Sequence, residues 1–571
     1  MKNPIPSPRF LHTYCVAALL VPNIALCFTE RMPLLACLAG ILLPLGAYSL
    51  AMSLSRKTGR TVWILFPIVF FAAFQMVLVY LFGGGVIAVD MFLNLVTTNP
   101  GEAMELLDNL VPAVAGVFIL YLPLLAIAAW QWARHITMPR QQMLRLRRLS
   151  SVLTGAGVLA VLLCYVVSPK ASDERKTRSY SIADDLYPVN VFYNLALAIN
   201  ESHLSATYRE RVADFTFGAL PTHDRDSAEV YVLVVGETSR SRNWQLYGYP
   251  RPTNPELSRT DGLLVFRNVT SQSNTTHKSV PMLLTAADAA CHDRLYHEKG
   301  IIAAFREAGF HTVFVSNQLR NHSYIDFLGE EADTAVFIRE TAAARHDTTF
   351  SDERLLPYMK KVLAEGHRKL FIVLHTYGSH FNYRDRYPRS RARFLPDAPT
   401  DAKPENRPFL INAYDNTIVQ TDHILASVIA MLGGQHCAAA MLYTSDHGEN
   451  IFDDDRKLFL HASPTPSYYE LHVPLIAWVS ESYDRLYPGI HATLVANRHK
   501  PVASSASFFH SMLGLAGIST PYRADSLNIS SGKLHSAPRR YLNDHNKAMP
   551  LDKTGLSEKD LEMIGNVGKK H

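Results

Sequence analysis

Cysteine is scarce: six residues in 571. Cys15, Cys27, Cys37 and Cys164 lie in or beside long apolar runs, which leaves Cys291 and Cys437 for the rest of the chain. Two cysteines cannot staple a disulfide scaffold, so the polar part of the chain must be held by a packed core. Whether those two pair in an oxidising compartment is left open by the sequence. Internal repeats and low-complexity tracts are lacking, which removes solenoids and long disordered arms. A strong net charge is lacking as well, at +5. No nucleic-acid partner is expected. Charge is nearly missing from five stretches near the N-terminus, and that local absence carries the first conclusion.

Leu, Val, Ala, Ile and Phe dominate residues 10–168, with apolar runs at about 10–28, 32–54, 62–82, 111–133 and 149–168. A bilayer core about 30 Å thick needs about 20 helical residues, and each run is close to that. No small-residue cleavage site follows the first run, so it reads as a span and not as a signal peptide. Bases mark one side of these runs. Lys2 and Arg9 precede the first, and Arg56, Lys57 and Arg60 separate the second from the third. Arg134, Arg140, Arg145, Arg147 and Arg148 separate the fourth from the fifth. The other two connections hold Arg31 alone against Glu30, Asp90, Glu102, Glu105 and Asp108. The positive-inside rule then puts the N-terminus in the cytoplasm and everything after Ser168 outside it.

Residues 1–168 are therefore expected to be a five-span transmembrane domain. The connection 83–110 has apolar residues at helical spacing and reads as amphipathic helices at the outer face, with Asn94, Thr98, Asn99 and Glu102 as polar groups a headgroup could meet. Residues 169–227 form a linker in which Tyr187–Ile199 is too short to span and reads as an interfacial helix. Residues 228–545 form a second domain, and 546–571 a tail.

The second domain alternates strands with helices. EVYVLVVGE, LLVFRNVTS, HTVFVSN, KLFIVLHTYG, AAAMLYTSDHG and VPLIAWVS read as strands, and the runs starting at His297, Asn412 and Ser505 as helices. Alternation of this kind means a largely parallel sheet covered on both faces. Ligands of such sheets bind beyond the carboxyl ends of the strands. Those ends carry Glu237 and Thr238, Asn317, His375 and His380, and Asp446 with His447. Polar groups recurring at one edge describe a site. Asp446 and His447, at the mouth of a buried strand, suit a borderline metal such as zinc. Taken alone, Asp-His-Gly reads more readily as a surface turn than as a metal site.

A nucleophile is offered by VTSQSNTTHKSVP, which precedes a helix and holds Ser271, Ser273, Thr275, Thr276 and Ser279. A helix N-terminus attracts phosphate, and a hydroxyl beside a divalent metal ionises readily. Simple helix capping accounts for the same residues.

Six motifs together resemble the membrane phosphoethanolamine transferases of the alkaline phosphatase and sulfatase superfamily: GETSR at 236–240, YGYPRPTNPEL at 247–257, NTTHKSVP at 274–281, LHTYGSH at 374–380, INAYDNTI at 411–418 and YTSDHGE at 443–449. The resemblance covers about 228 to 530, and the five-span anchor matches too. It implies a membrane anchor plus an α/β alkaline phosphatase-like (sulfatase-like) domain in the periplasm, in a bacterial inner membrane. It implies Thr276 as nucleophile, and zinc held by Glu237, the Thr276 oxygen, Asp446 and His447. His380 and His461 are implied to hold a second metal or the substrate phosphate, and Asn317 to meet the donor headgroup. The implied donor is phosphatidylethanolamine; the implied acceptor is lipopolysaccharide, at lipid A or core, or a related envelope glycan. The lipid A-modifying branch usually carries several disulfides, which two cysteines cannot build. A glycerol-phosphate transferase, or another phosphodiesterase or hydrolase of the superfamily, is the alternative. No C/S-x-P-x-R motif stands at the nucleophile, which disfavours a sulfatase activity.

Overall fold

The computed structural model describes residues 6–30, 32–82, 84–97, 100–167, 180–224, 226–341, 350–463, 465–536 and 538–566, with the backbone alone at 81–82, 94–97 and 100–110. The chain divides into two compact units, 1–93 with 106–199 and 94–105 with 200–571.

The first unit is helical. Its helices are α1 (Pro8–Thr29), α2 (Leu34–Met52), α3 (Thr58–Ile64), α4 (Phe66–Phe82), α5 (Val89–Thr97), α6 (Pro100–Ala133) and α7 (Arg140–Val167). Ser7 caps α1 by accepting from Phe10 N at 3.1 Å, with Pro8 opening the helix. Among the described residues four helices are long and apolar enough to cross a membrane, or five when the pair α3–α4 is taken as one span bent by 61°. The third apolar run is thus broken. The fourth continues a helix that begins at Pro100, so the amphipathic stretch and the span share one helix. The side chains of Asn94, Thr98, Asn99 and Glu102 lie outside the described residues. Glycine brings α2 and α7 together: a Cβ on Gly157 would strike Leu43, and one on Gly46 would strike the Thr154 backbone. Polar groups inside the bundle are satisfied locally. Ser150 Oγ donates to Ser49 Oγ at 2.7 Å, and Gln75 holds Gly85 O and Ile87 N at 2.6 and 3.1 Å. The helix α8 (Val189–Ala206) covers the expected interfacial stretch. Tyr187, Val191 and Ala198 are buried in one cluster with Leu26, Phe71, Leu78 and Phe92.

The second unit is built on a seven-stranded sheet. Its strands are β1 (Glu229–Gly236), β2 (Leu264–Phe266), β3 (His311–Ser316), β4 (Thr334–Phe337), β5 (Lys369–His375), β6 (Ala438–Ser445) and β7 (Leu475–Val479), in spatial order β2-β7-β6-β1-β5-β3-β4. β7 runs antiparallel to β2 and β6; the other pairs are parallel. Every residue of β1 is buried. Alternation splits its side chains between two cores: Tyr231, Leu233 and Val235 face one, Val230, Val232 and Val234 the other. The edge strand β4 was not legible as a strand because it is short and half exposed.

Register positions the site. Val235 pairs with His375 on one side and with Thr444 on the other, and Gly236 pairs with Ser445. Glu237 and Asp446 therefore leave neighbouring strands at the same level. Cys291 and Cys437 are both free thiols. Of the stretch read as a tail, residues 546–566 are folded onto the domain. Arg540–Leu542 and Ala548–Pro550 form a hairpin, and Leu551, Leu556 and Ile564 bury against Tyr468, Tyr469 and Leu471.

Candidate active site

Five hydroxyls compete for the nucleophile, and local geometry separates them. Thr275 is the N-cap of the helix α9 (Thr276–Leu284), and its hydroxyl meets Ser273 Oγ at 3.1 Å. Ser271 Oγ donates to Asp446 O at 2.6 Å, and Ser279 Oγ to Ser273 O at 3.2 Å. Thr276 alone turns its hydroxyl to the side chains of Glu237 and His447. Its Oγ1 donates to Glu237 Oε1 at 3.1 Å and lies 3.0 Å from His447 Nε2. The hydroxyl sits in the first turn of α9, where the helix dipole favours negative charge.

Glu237, Asp446 and His447 are all buried, and their donor atoms lie within 4.8 Å of one another. Each is held from outside the cluster. Asp446 Oδ1 accepts from Thr238 N at 3.0 Å and His447 N at 2.7 Å. His447 Nδ1 is 2.9 Å from Gly448 O, so that nitrogen carries the proton and Nε2 turns its lone pair inward. Glu237 Oε2 accepts from Gln318 Nε2 at 3.2 Å. Thr238 adopts φ +59, a left-handed conformation that redirects the chain straight after Glu237. Gly378, at φ +53, lies so close to Glu237 that a Cβ would strike the Glu237 carbonyl oxygen. Gly448 follows His447 without a left-handed backbone. A glycine is needed at 448 because a Cβ would strike the Tyr469 carbonyl oxygen.

Electrostatics mark the same cluster. Burial, then repulsion from Asp446, pushes the Glu237 carboxyl up to about 8. Burial pushes Asp446 up to about 7. Burial, then the neighbouring His461, pulls His447 down to about 4. Asp446 Oδ2 is buried with no hydrogen-bond donor among the described residues. Two crowded carboxylates, a neutral imidazole with an inward lone pair and an orphaned oxygen fit a divalent cation.

His461 lies beside this cluster. Its ring is 4.2 Å from that of His447 and 5.9 Å from that of His380, and its Nδ1 is 3.4 Å from Glu449 Oε1. Leu460 and Ala462, on either side of it, both have positive φ. Burial and neighbouring cations keep His380 neutral, and burial pulls His461 down to about 4. Asn317 is engaged elsewhere. Its amide donates to Phe350 O at 3.1 Å and to Asp352 Oδ1 at 2.9 Å. Its neighbour Gln318 reaches Glu237 instead, a contact visible in the sequence only as one more polar residue at a strand end.

The profile of the sulfatase family matches residues 229–518, and the chain belongs to that family. It is 27% identical to the phosphoethanolamine transferase EptA of Salmonella typhimurium over 500 residues, which cover 84% of this chain and 88% of that one. The full-length lipooligosaccharide phosphoethanolamine transferase A of Neisseria meningitidis superposes with a TM-score of 0.73 at 21% identity, over 92% of this chain and 98% of that one. The periplasmic domain of EptC from Escherichia coli, in complex with zinc, superposes with a TM-score of 0.54 at 23% identity, over 62% and 98%. The fold is accordingly an apolar N-terminal helical domain joined to a sulfatase-like α/β domain, the architecture of a multi-pass membrane protein with a soluble C-terminal part.

Proposed function

We propose that the protein transfers phosphoethanolamine from phosphatidylethanolamine to lipopolysaccharide, at lipid A or core, or to a related envelope glycan. The catalytic domain stands in the periplasm on an inner-membrane anchor. The observation that carries this reading is Thr276 Oγ1 within 3.1 Å of Glu237 and His447 at the start of a helix. The curated relatives named as phosphoethanolamine transferases support it, because they match across both the membrane and the soluble part.

The chemistry follows from the side chains. Glu237, Asp446, His447 and the Thr276 oxygen would hold one zinc, and His380 with His461 a second metal or the phosphate. Zinc in that set supplies positive charge that favours an ionised hydroxyl and a phosphoryl group gathering negative charge. Thr276 Oγ1 attacks phosphorus while the bond to the diacylglycerol oxygen breaks, and its proton passes towards Glu237 Oε1. The proton taken up at Glu237 then goes to the departing oxygen, while His380 and His461 position the phosphate through their N–H groups. The phosphoethanolamine ester of Thr276 is then attacked by an acceptor hydroxyl or phosphate, which restores the threonine. The first turn of α9 faces the charge that develops in both steps.

The test is release of diacylglycerol from labelled phosphatidylethanolamine by the purified full chain, with and without acceptor. Wild type is expected to release it and to lose the activity on zinc removal. Asp446→Ala is expected to bind less zinc and to be inactive while keeping its fold. Release of phosphatidic acid in place of diacylglycerol, or full turnover by Asp446→Ala, overturns the assignment.

A further inference from the structure

A second group of metal-ligating side chains lies at the other edge of the sheet. His311 opens β3, and Glu365 and His367 lie in the turn that leads from the helix α10 (Leu355–Ala364) into β5. β3 and β5 are parallel neighbours, with His311 paired to Leu370. The three residues therefore gather at the amino ends of the strands. Thr276 and its partners sit at the carboxyl ends, a strand length or about 20 Å away. This group plays no part in the transfer reaction proposed above.

Three metal-ligating side chains lie close together. One nitrogen or oxygen from each of the three side chains lies within 4.8 Å of the other two. His367 Nε2 is 3.1 Å from Glu365 Oε2, and the two imidazoles stack with centroids 3.9 Å apart at 13°. A fourth residue acts from behind. Asp333 Oδ2 is fixed by Thr312 N and Thr312 Oγ1, both at 2.9 Å, and faces His311 Nδ1 at 3.6 Å. That distance is too long for a hydrogen bond, but the carboxylate is placed to accept from Nδ1 once the ring turns towards an ion, the pattern in which a carboxylate orients a metal-bound histidine. The side chains are about a third exposed, so the two rings are free to unstack and turn their in-plane lone pairs towards one ion, and a water can complete the shell.

We infer that His311, Glu365 and His367 form a second metal site, taking a divalent transition ion on two imidazoles and one carboxylate, with Asp333 as the residue that orients His311. Two nitrogens and one oxygen suit zinc, copper(II) or nickel(II) and disfavour calcium or magnesium. An ion there ties the start of β3 to the α10–β5 turn and so braces the sheet from the edge opposite the catalytic cluster.

The experiment uses the untagged full chain in detergent, loaded with zinc, washed free of excess and measured by elemental analysis. Wild type is expected to hold the zinc of the catalytic cluster plus one further ion. His311→Ala and His367→Ala are each expected to lose that one ion, with phosphatidylethanolamine turnover unchanged. Asp446→Ala is expected to keep it. Asp333→Asn should weaken the site by about tenfold to a hundredfold without abolishing it. Zinc should raise the melting temperature of Asp446→Ala but not of Asp446→Ala combined with His367→Ala. Equal zinc in wild type and His367→Ala overturns the proposal, as does zinc content that vanishes entirely in Asp446→Ala. An ion held only at millimolar zinc also overturns it.

Discussion

Thr276 is where residue-scale geometry is most exacting. Adjacent residues entering a helix point about 100° apart, and here Thr275 turns to Ser273 while Thr276 turns to Glu237 and His447. Thr276→Ala is expected to abolish transfer, since no neighbouring hydroxyl can replace it. Thr276→Ser is expected to keep part of the activity, because the attacking atom survives and only the methyl that fixes its rotamer is lost. Mass spectrometry of enzyme mixed with donor and no acceptor should find a phosphoethanolamine ester on Thr276. An adduct on Thr275 or Ser279 would move the nucleophile, and normal transfer with no adduct would mean direct displacement. Glu237, Asp446 and His447 were legible as polar residues at the strand ends of a parallel sheet, whereas Thr276 is singled out from five hydroxyls by the family resemblance alone. Gln318 and Gly378 were not legible as parts of the site. Their roles depend on how the loops after β3 and β5 return towards Glu237, a contact between residues 81 and 141 positions apart, which no local pattern encodes.

At the scale of elements, β1 was readable as a buried strand, and its two faces do line two cores. What its first residue does was not readable. Glu229 is fully buried at the amino end of β1 and accepts from Ser227 Oγ at 2.7 Å and Tyr487 OH at 2.5 Å, with His223 Nδ1 at 3.2 Å and Lys369 Nζ at 3.3 Å. Burial alone would raise its carboxyl, but the bonds from His223, Tyr487 and Ser227 outweigh it and bring it down to about 2. A carboxyl lowered on folding stabilises the native state above its unfolded value near 4.5 and stops doing so as pH falls towards about 2. Glu229→Gln should thus destabilise the full chain at neutral pH, on the order of 3 kcal/mol, by stranding a buried network. The loss should shrink as pH falls through that window. Thermal midpoints measured from pH 7 downwards check it, and a deficit that stays constant with pH would exclude the clamp. Two features at this scale are not carried by composition. Composition cannot show the 61° bend between α3 and α4, since both halves are apolar. The tail looked separable because its sparse apolar residues Leu551, Leu556 and Ile564 become a face only when set against Tyr468 and Leu471.

For the whole molecule, the arrangement of charge decides on which side of a membrane the second unit stands. Two connections carry clustered bases, Arg56 to Arg60 and Arg134 to Arg148, and the alternate connections carry mainly acids. The helical unit gives four spans, or five when the bent pair α3–α4 crosses once. Parity makes the difference testable. With five crossings, a cytoplasmic N-terminus places everything after α7 outside. With four, because the bent pair turns back, the bases between α6 and α7 would face outward with the second unit inside, against the positive-inside rule. Alkaline phosphatase fused after Pro169 is therefore expected to be active, and the same reporter fused after Arg145 inactive; a cytoplasmic fluorescent reporter should give the opposite pattern. Reversed signals would mean that α3–α4 re-enters instead of crossing. Replacing Arg145, Arg147 and Arg148 together by Ser should then weaken the orientation signal and leave a mixed population of fusions. Changing the acids Glu102, Glu105 and Asp108 should have little effect, since acidic residues contribute little to orientation.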